Sequence, residues 1–105
     1  MSQFVLDMTH SSDQCPTSNA TVRKLANALA GELPRLTKKT GVKIIVGPLV
    51  TTGHRSLAFI EAASVEAVRD FVFESALIQW NSVEILPGRP MDQTLKEIDS
   101  LKPIY

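Results

Sequence analysis

The sequence predicts an α+β domain whose elements run β-α-β-β-α-β and end in one further helix. Three observations predict it. Gln3–Thr9, Val42–Val50, Arg55–Ala62 and Trp80–Leu86 are alternating or β-branched apolar runs of strand length. Between the first two, and again between the last two, apolar residues recur at helical spacing: Val22, Leu25, Ala26 and Leu29, then Val65, Val68, Phe71 and Val72. Only Thr51-Thr52-Gly53-His54 separates the second and third runs, which leaves room for a hairpin turn and nothing else.

Each element has its own local signals. In the first strand Phe4, Leu6 and Met8 share one face, and Val5, Asp7 and Thr9 the other. His10 to Ser18 contains Ser11, Ser12, Asp13 and Pro16 and reads as a loop. Ser18 or Asn19 can cap the helix that follows. Gly31 and Pro34 are expected to interrupt this helix, with Pro34 in the first turn of a second piece, because an interior proline costs about 3 kcal/mol. Lys38, Lys39 and Gly41 suit its C-terminus. Ser64 is placed to cap the next helix, with Glu66 in its first turn. Trp80 is expected to open the fourth strand, which Pro87-Gly88 ends. A last helix is expected over Met91–Leu101, with Leu95, Ile98 and Leu101 available to cover a sheet edge.

This order is the ferredoxin-like split βαβ sandwich. Right-handed crossovers give an antiparallel sheet of order 4-1-3-2. Two helices cover only one face of such a sheet. The other face offers Val5, Ile45 and either Leu57 or Ala58 as apolar residues beside the charged Asp7 and Lys43. A second copy of the chain packed face to face would explain that apolar content, so a homodimer is expected.

The 105 residues fit one domain, residues 1–105, and such a chain needs no metal or disulfide to hold its core. Eleven basic and eleven acidic residues cancel, which removes the basic footprint of a nucleic-acid binder. The first residues lack a basic region and a long apolar run, so neither a signal peptide nor a membrane span is expected. One cysteine forms no internal disulfide, and a cytoplasmic setting is expected. There is no phosphate-binding glycine loop, no dinucleotide fingerprint and no nucleophile elbow around Ser11 or Ser12.

Three segments carry a resemblance: His54-Arg55-Ser56-Leu57-Ala58-Phe59-Ile60-Glu61-Ala62, Ser64-Val65-Glu66-Ala67-Val68 and Gln79-Trp80-Asn81-Ser82-Val83-Glu84-Ile85. In them the chain resembles the dimeric α+β barrel superfamily, and within it small stand-alone domains of unknown function. The resemblance implies a ferredoxin-like fold and a dimer. That superfamily includes cofactor-free monooxygenases, muconolactone-isomerase-like enzymes, haem-degrading enzymes and stress-response proteins, and likeness of fold does not choose among them.

The rare side chains are the best guide to function. His10, Cys15 and His54 are the only histidines and the only cysteine. In the expected topology strand 1 ends where strands 3 and 4 begin, so His10, His54 and Trp80 share one rim. Cys15 lies in the loop that leads to the first helix there. Three protein ligands and a water suit zinc or another borderline-soft metal. His10, His54, Trp80 and Asp7 are the residues expected to bind a small ligand at this rim, Trp80 as an apolar wall and Asp7 by orienting a histidine. Plainer roles compete with these. The histidines and the thiol can be ordinary loop residues, Trp80 can be packing, and Asp7 can pair with Lys43 or Arg55. Cys15, held only by a loop, is the member expected to drop out first. The leading expectation is a metal- or small-ligand-binding protein. A cofactor-free monooxygenase- or isomerase-like enzyme, with a histidine as general base, is the second. A protein-interaction module is the third.

Overall fold

Strand β1 (Ser2–Thr9) runs through the interior of a four-stranded antiparallel sheet in the computed structural model, which describes residues 1–105. The spatial order is β2-β3-β1-β4, with β2 at Lys43–Val50, β3 at Arg55–Ala62 and β4 at Ser82–Gly88. This is the expected order. Helices α1 (Ala20–Thr40) and α2 (Val65–Glu74) pack on one face.

The alternation in β1 decides which face that is. Phe4, Leu6 and Met8 are buried, and they pair in register with Ile60, Ala58 and Ser56 of β3. On the other side Leu6 pairs with Ile85 and Met8 with Val83 of β4. Leu36 of α1 and Val68, Phe71 and Val72 of α2 close the core above them. Burying one such side chain contributes about 1.5–3 kcal/mol, so this layer dominates the folding energy. The opposite face is open. Val5 pairs there with Phe59 and Leu86, and Asp7 with Leu57 and Glu84. Leu57 therefore lies on the open face and Ala58 in the core.

The β2–β3 register shifts twice, between Ile44 and Val46 and between Val46 and Leu49. Gly47 in this stretch has φ 99°, and a Cβ there would sit 2.8 Å from the Leu57 carbonyl oxygen. Only glycine fits so close to the neighbouring backbone. Pro48 then stands on an edge strand, where a missing N–H is tolerated and discourages further pairing.

Helix α1 corrects one expectation. It is continuous over 21 residues, with Gly31 and Pro34 inside it. Asn19 caps its start by accepting from the Val22 N–H at 3.0 Å, and Gly41, at φ 75°, ends it. The apolar stripe explains the continuity. Leu29, Leu33 and Leu36 pack on the core on both sides of the two breakers. Most helical stability in proteins comes from such packing, and here it outweighs the local cost. Pro34 is exposed, and Ala30, whose carbonyl loses its helical partner, is exposed to water as well.

The link from α2 to β4 corrects another. Trp80 does not open β4 but ends a short helix α3 (Leu77–Trp80), and the strand begins at Ser82. Ala76 takes a left-handed conformation at φ 62°, and the Ser75 hydroxyl accepts from the Leu77 N–H, so the chain turns sharply here. Burial of Leu77 in the core holds the turn. The last helix, α4 (Met91–Ile98), is shorter than expected and covers no edge. None of its residues is buried, and Leu95, Ile98 and Leu101 remain exposed. The two-residue connector Arg89-Pro90 leaves no loop to fold it back. No helix is long and apolar enough to cross a membrane.

Replacing either breaker in α1 tests the packing account. A Cβ at Gly31 meets open space. Gly31→Ala is expected to raise stability in urea denaturation by about 0.5–1 kcal/mol. Pro34→Ala restores an N–H to the helix and is expected to raise it by up to about 3 kcal/mol. A loss of stability in Pro34→Ala would instead mean that the core requires a proline-induced bend.

Candidate metal centre

The rim at the end of β1 gathers the rare side chains. The backbone N–H of His10 donates to the His54 carbonyl at 3.0 Å, extending the β1–β3 ladder by one step. The two imidazoles therefore leave neighbouring chains side by side, in an edge-to-face arrangement with centroids 5.3 Å apart. His54 holds a left-handed backbone at φ 58°, a conformation histidine adopts more readily than most residues. It closes the tight β2–β3 turn, where Thr51 donates twice to the Arg55 carbonyl, through N–H at 2.9 Å and hydroxyl at 2.7 Å, and its hydroxyl oxygen accepts from the Gly53 N–H at 3.3 Å.

Cys15 reaches the same place from the β1–α1 loop. A single 3-10 turn over Ser12–Gln14 organises this loop. The Cys15 carbonyl accepts from the Ser18 and Asn19 N–H groups, and Arg23 of α1 donates to the carbonyls of Pro16 and Thr17 at 2.8 and 2.7 Å. The thiol is buried. The Thr17 hydroxyl donates to its sulfur at 3.0 Å. That hydroxyl, with the Thr17 backbone N–H, holds the thiol below its ordinary pKa, and His54 adds to the effect. Such an environment favours the thiolate, the form that ligates metals. Cys15, expected to drop out first, is instead held close to both imidazoles. The loop is tied down by its own hydrogen bonds, which composition alone did not reveal.

The donor atoms of His10, Cys15 and His54 all lie within 4.8 Å of one another. Ligands sharing a tetrahedral zinc ion, at bond lengths of 2.0–2.3 Å, are roughly 3.3–3.8 Å apart. Side-chain shifts of about an ångström would bring these atoms to the spacing of ligands on one ion.

His10 carries the sharpest feature. Its Nδ1 is 3.2 Å from Oδ1 of the buried Asn81. The Asn81 amide is itself oriented, because Nδ2 donates to the Leu77 carbonyl at 3.2 Å. The oxygen must then face His10, so Nδ1 carries the proton and Nε2 the lone pair. That Nε2 is buried and has no hydrogen-bond partner. An unsatisfied buried polar atom costs about 1–3 kcal/mol. A histidine whose far nitrogen is fixed by a carbonyl and whose near nitrogen is left bare has the arrangement of a metal ligand. Asn81 was missed in the sequence. Its only signal there is a polar residue next to Trp80 at a chain reversal, and the sharp turn at Ala76 that delivers it is a tertiary feature.

Trp80 stands beside His10 with ring centroids 5.3 Å apart and planes tilted by 56°. It is half-buried and packs partly on the core, so it is both wall and packing. Asp7 is not brought to the group. It faces the open side of the sheet, where the Arg55 guanidinium donates to both carboxylate oxygens at 2.8 and 2.5 Å and holds the carboxyl below its usual range. Its pairing with Arg55, rather than a histidine, follows from the register. The larger surface grooves lie elsewhere. The most voluminous, about 580 Å³, is at the other end of β1, where Gln3, Arg89, Gln93 and Glu97 line it.

No protein-family model, curated protein or solved structure matches the chain. The likeness to the dimeric α+β barrel superfamily rests on the three segments quoted above. The structure carries its coarse part, a βαββαβ order on a four-stranded antiparallel sheet, as in ferredoxin-like folds.

Proposed function

We propose that this chain binds one transition-metal ion, zinc or a softer neighbour, through His10 Nε2, the Cys15 thiolate and His54. The observation that carries this reading is the bare, buried Nε2 of His10, whose tautomer Asn81 sets. Two imidazoles and a thiolate select borderline and soft metals over magnesium or calcium, which prefer oxygen ligands. Three protein ligands leave a position at which the ion can bind water or a substrate oxygen. A cofactor-free monooxygenase- or isomerase-like enzyme needs an enclosed organic pocket, and the larger grooves lie away from the triad, which supports the metal reading.

A partner is proposed for the open face. Val46, Leu49, Phe59 and Leu86 are exposed there, beside half-buried Val5 and Leu57. A second copy of the chain, itself of zero net charge, suits such a surface.

Protein purified without a histidine tag is expected to take up one equivalent of metal in chelator-competition titrations with zinc and copper(I). His10→Ala, Cys15→Ser and His54→Ala are each expected to bring binding down to the chelator blank. Wild-type protein that takes up neither metal would sink the proposal. Asn81→Leu keeps the core filled but frees the His10 ring. It is expected to weaken binding about 10–100-fold, and ¹⁵N shifts of the imidazole should report a mixed tautomer. Light scattering should give a dimer mass for the wild type and a monomer mass for Phe59→Asp. A wild-type monomer at all concentrations would refute the pairing.

A further inference from the structure

We infer that the triad is built for a monovalent soft cation, Cu⁺, in three-coordinate form, rather than for Zn²⁺. This rests on the metal-binding reading above and adds the identity of the ion. The reason is charge. Two neutral imidazoles and one thiolate carry a single negative charge, and no carboxylate belongs to the cluster. His10 must be neutral to present Nε2, because Asn81 already takes the proton on Nδ1. With Cu⁺ the assembly is neutral. With Zn²⁺ it holds one uncompensated positive charge.

Burial makes that difference count. His10 Nε2 and the Cys15 side chain are buried, the His10 and His54 residues as a whole are half-buried, and the Trp80 ring backs His10. A net charge in such half-buried surroundings is penalised more than on an open surface. The surrounding groups do not repair the imbalance. The start of α1 turns its positive end toward the Cys15 loop, and the Thr17 hydroxyl spends its proton on the sulfur. Asp13 and Arg23 flank the loop with opposite charges, and both are exposed, so water screens them and their contributions offset. Coordination number points the same way. Three donors complete a trigonal site for Cu⁺, whereas Zn²⁺ would add a water as its fourth ligand.

His54 allows a clean test. It occupies a left-handed position, where asparagine and aspartate are also well tolerated, so variants there keep the turn. His54→Asn replaces a nitrogen donor by a neutral oxygen. His54→Asp offers oxygen as well, with one more negative charge, which would neutralise Zn²⁺. Affinities for Cu⁺ and Zn²⁺ are measured by anaerobic competition against bicinchoninate and a chromophoric zinc chelator, and X-ray absorption reads the ligand set. The wild type is expected to keep Cu⁺ bound against excess Zn²⁺, with two nitrogens and one sulfur. His54→Asp is expected to move the Zn²⁺/Cu⁺ preference toward zinc at least about tenfold further than His54→Asn does. If excess Zn²⁺ displaces Cu⁺ from the wild type, the inference is overturned and metal binding itself survives. Equal shifts in the two variants also overturn it, since donor type and not charge would then set the preference. If neither metal binds, both readings fall.

Discussion

Strand β1 is hydrogen-bonded along both edges, to β3 on one side and β4 on the other, and the remaining structure depends on that double pairing. The register puts Phe4, Leu6 and Met8 under the helices and leaves Val5 and Asp7 outside. A slip by one residue would exchange the two sets and expose the core. The same pairing makes the end of β1 coincide with the beginnings of β3 and β4. His10, His54 and Asn81 meet because of it, across 71 residues of chain in the case of His10 and Asn81.

The rim departs from the economy of the rest of the molecule. The other buried polar side chains are satisfied: Ser75 donates to the Val72 carbonyl and Asn81 to the Leu77 carbonyl. At His10 a buried nitrogen is left bare. Nearby, His54 holds a left-handed backbone and Cys15 a thiol shifted toward the thiolate. Costs of this kind concentrate where a protein binds or reacts. The second unpaired resource is the open face, whose apolar residues surround the Asp7–Arg55 ion pair.

How much could be read beforehand varied with the physics of each element. The strands were legible because alternation and β-branching report directly on a half-buried pleat, as in Phe4-Val5-Leu6-Asp7-Met8. Caps were legible at Ser64 and Gly41, and to within one residue at Asn19, where one side chain or one φ value decides the matter. Pro34 misled, because its local cost is visible in the sequence while the Leu29–Leu36 stripe that offsets it becomes effective only in the packed core. Trp80 misled for a related reason. The alternating Val83 and Ile85 that follow it fit a strand, but buried Leu77 and the turn at Ala76 put Trp80 itself in one turn of helix.

The sequence by itself determined the order of elements, the core face of β1 and the meeting of His10, His54 and Trp80 at one rim, since alternation and chain reversal require only local chemistry and the handedness of crossovers. The tertiary structure alone decided that Asn81 orients His10, that Cys15 is held within reach of both imidazoles, and that Asp7 belongs to Arg55. Those are matters of a few ångströms between residues far apart in the chain. They are set by register, by the turn at Ala76 and by the hydrogen bonds of the Cys15 loop, none of which a residue pattern encodes locally.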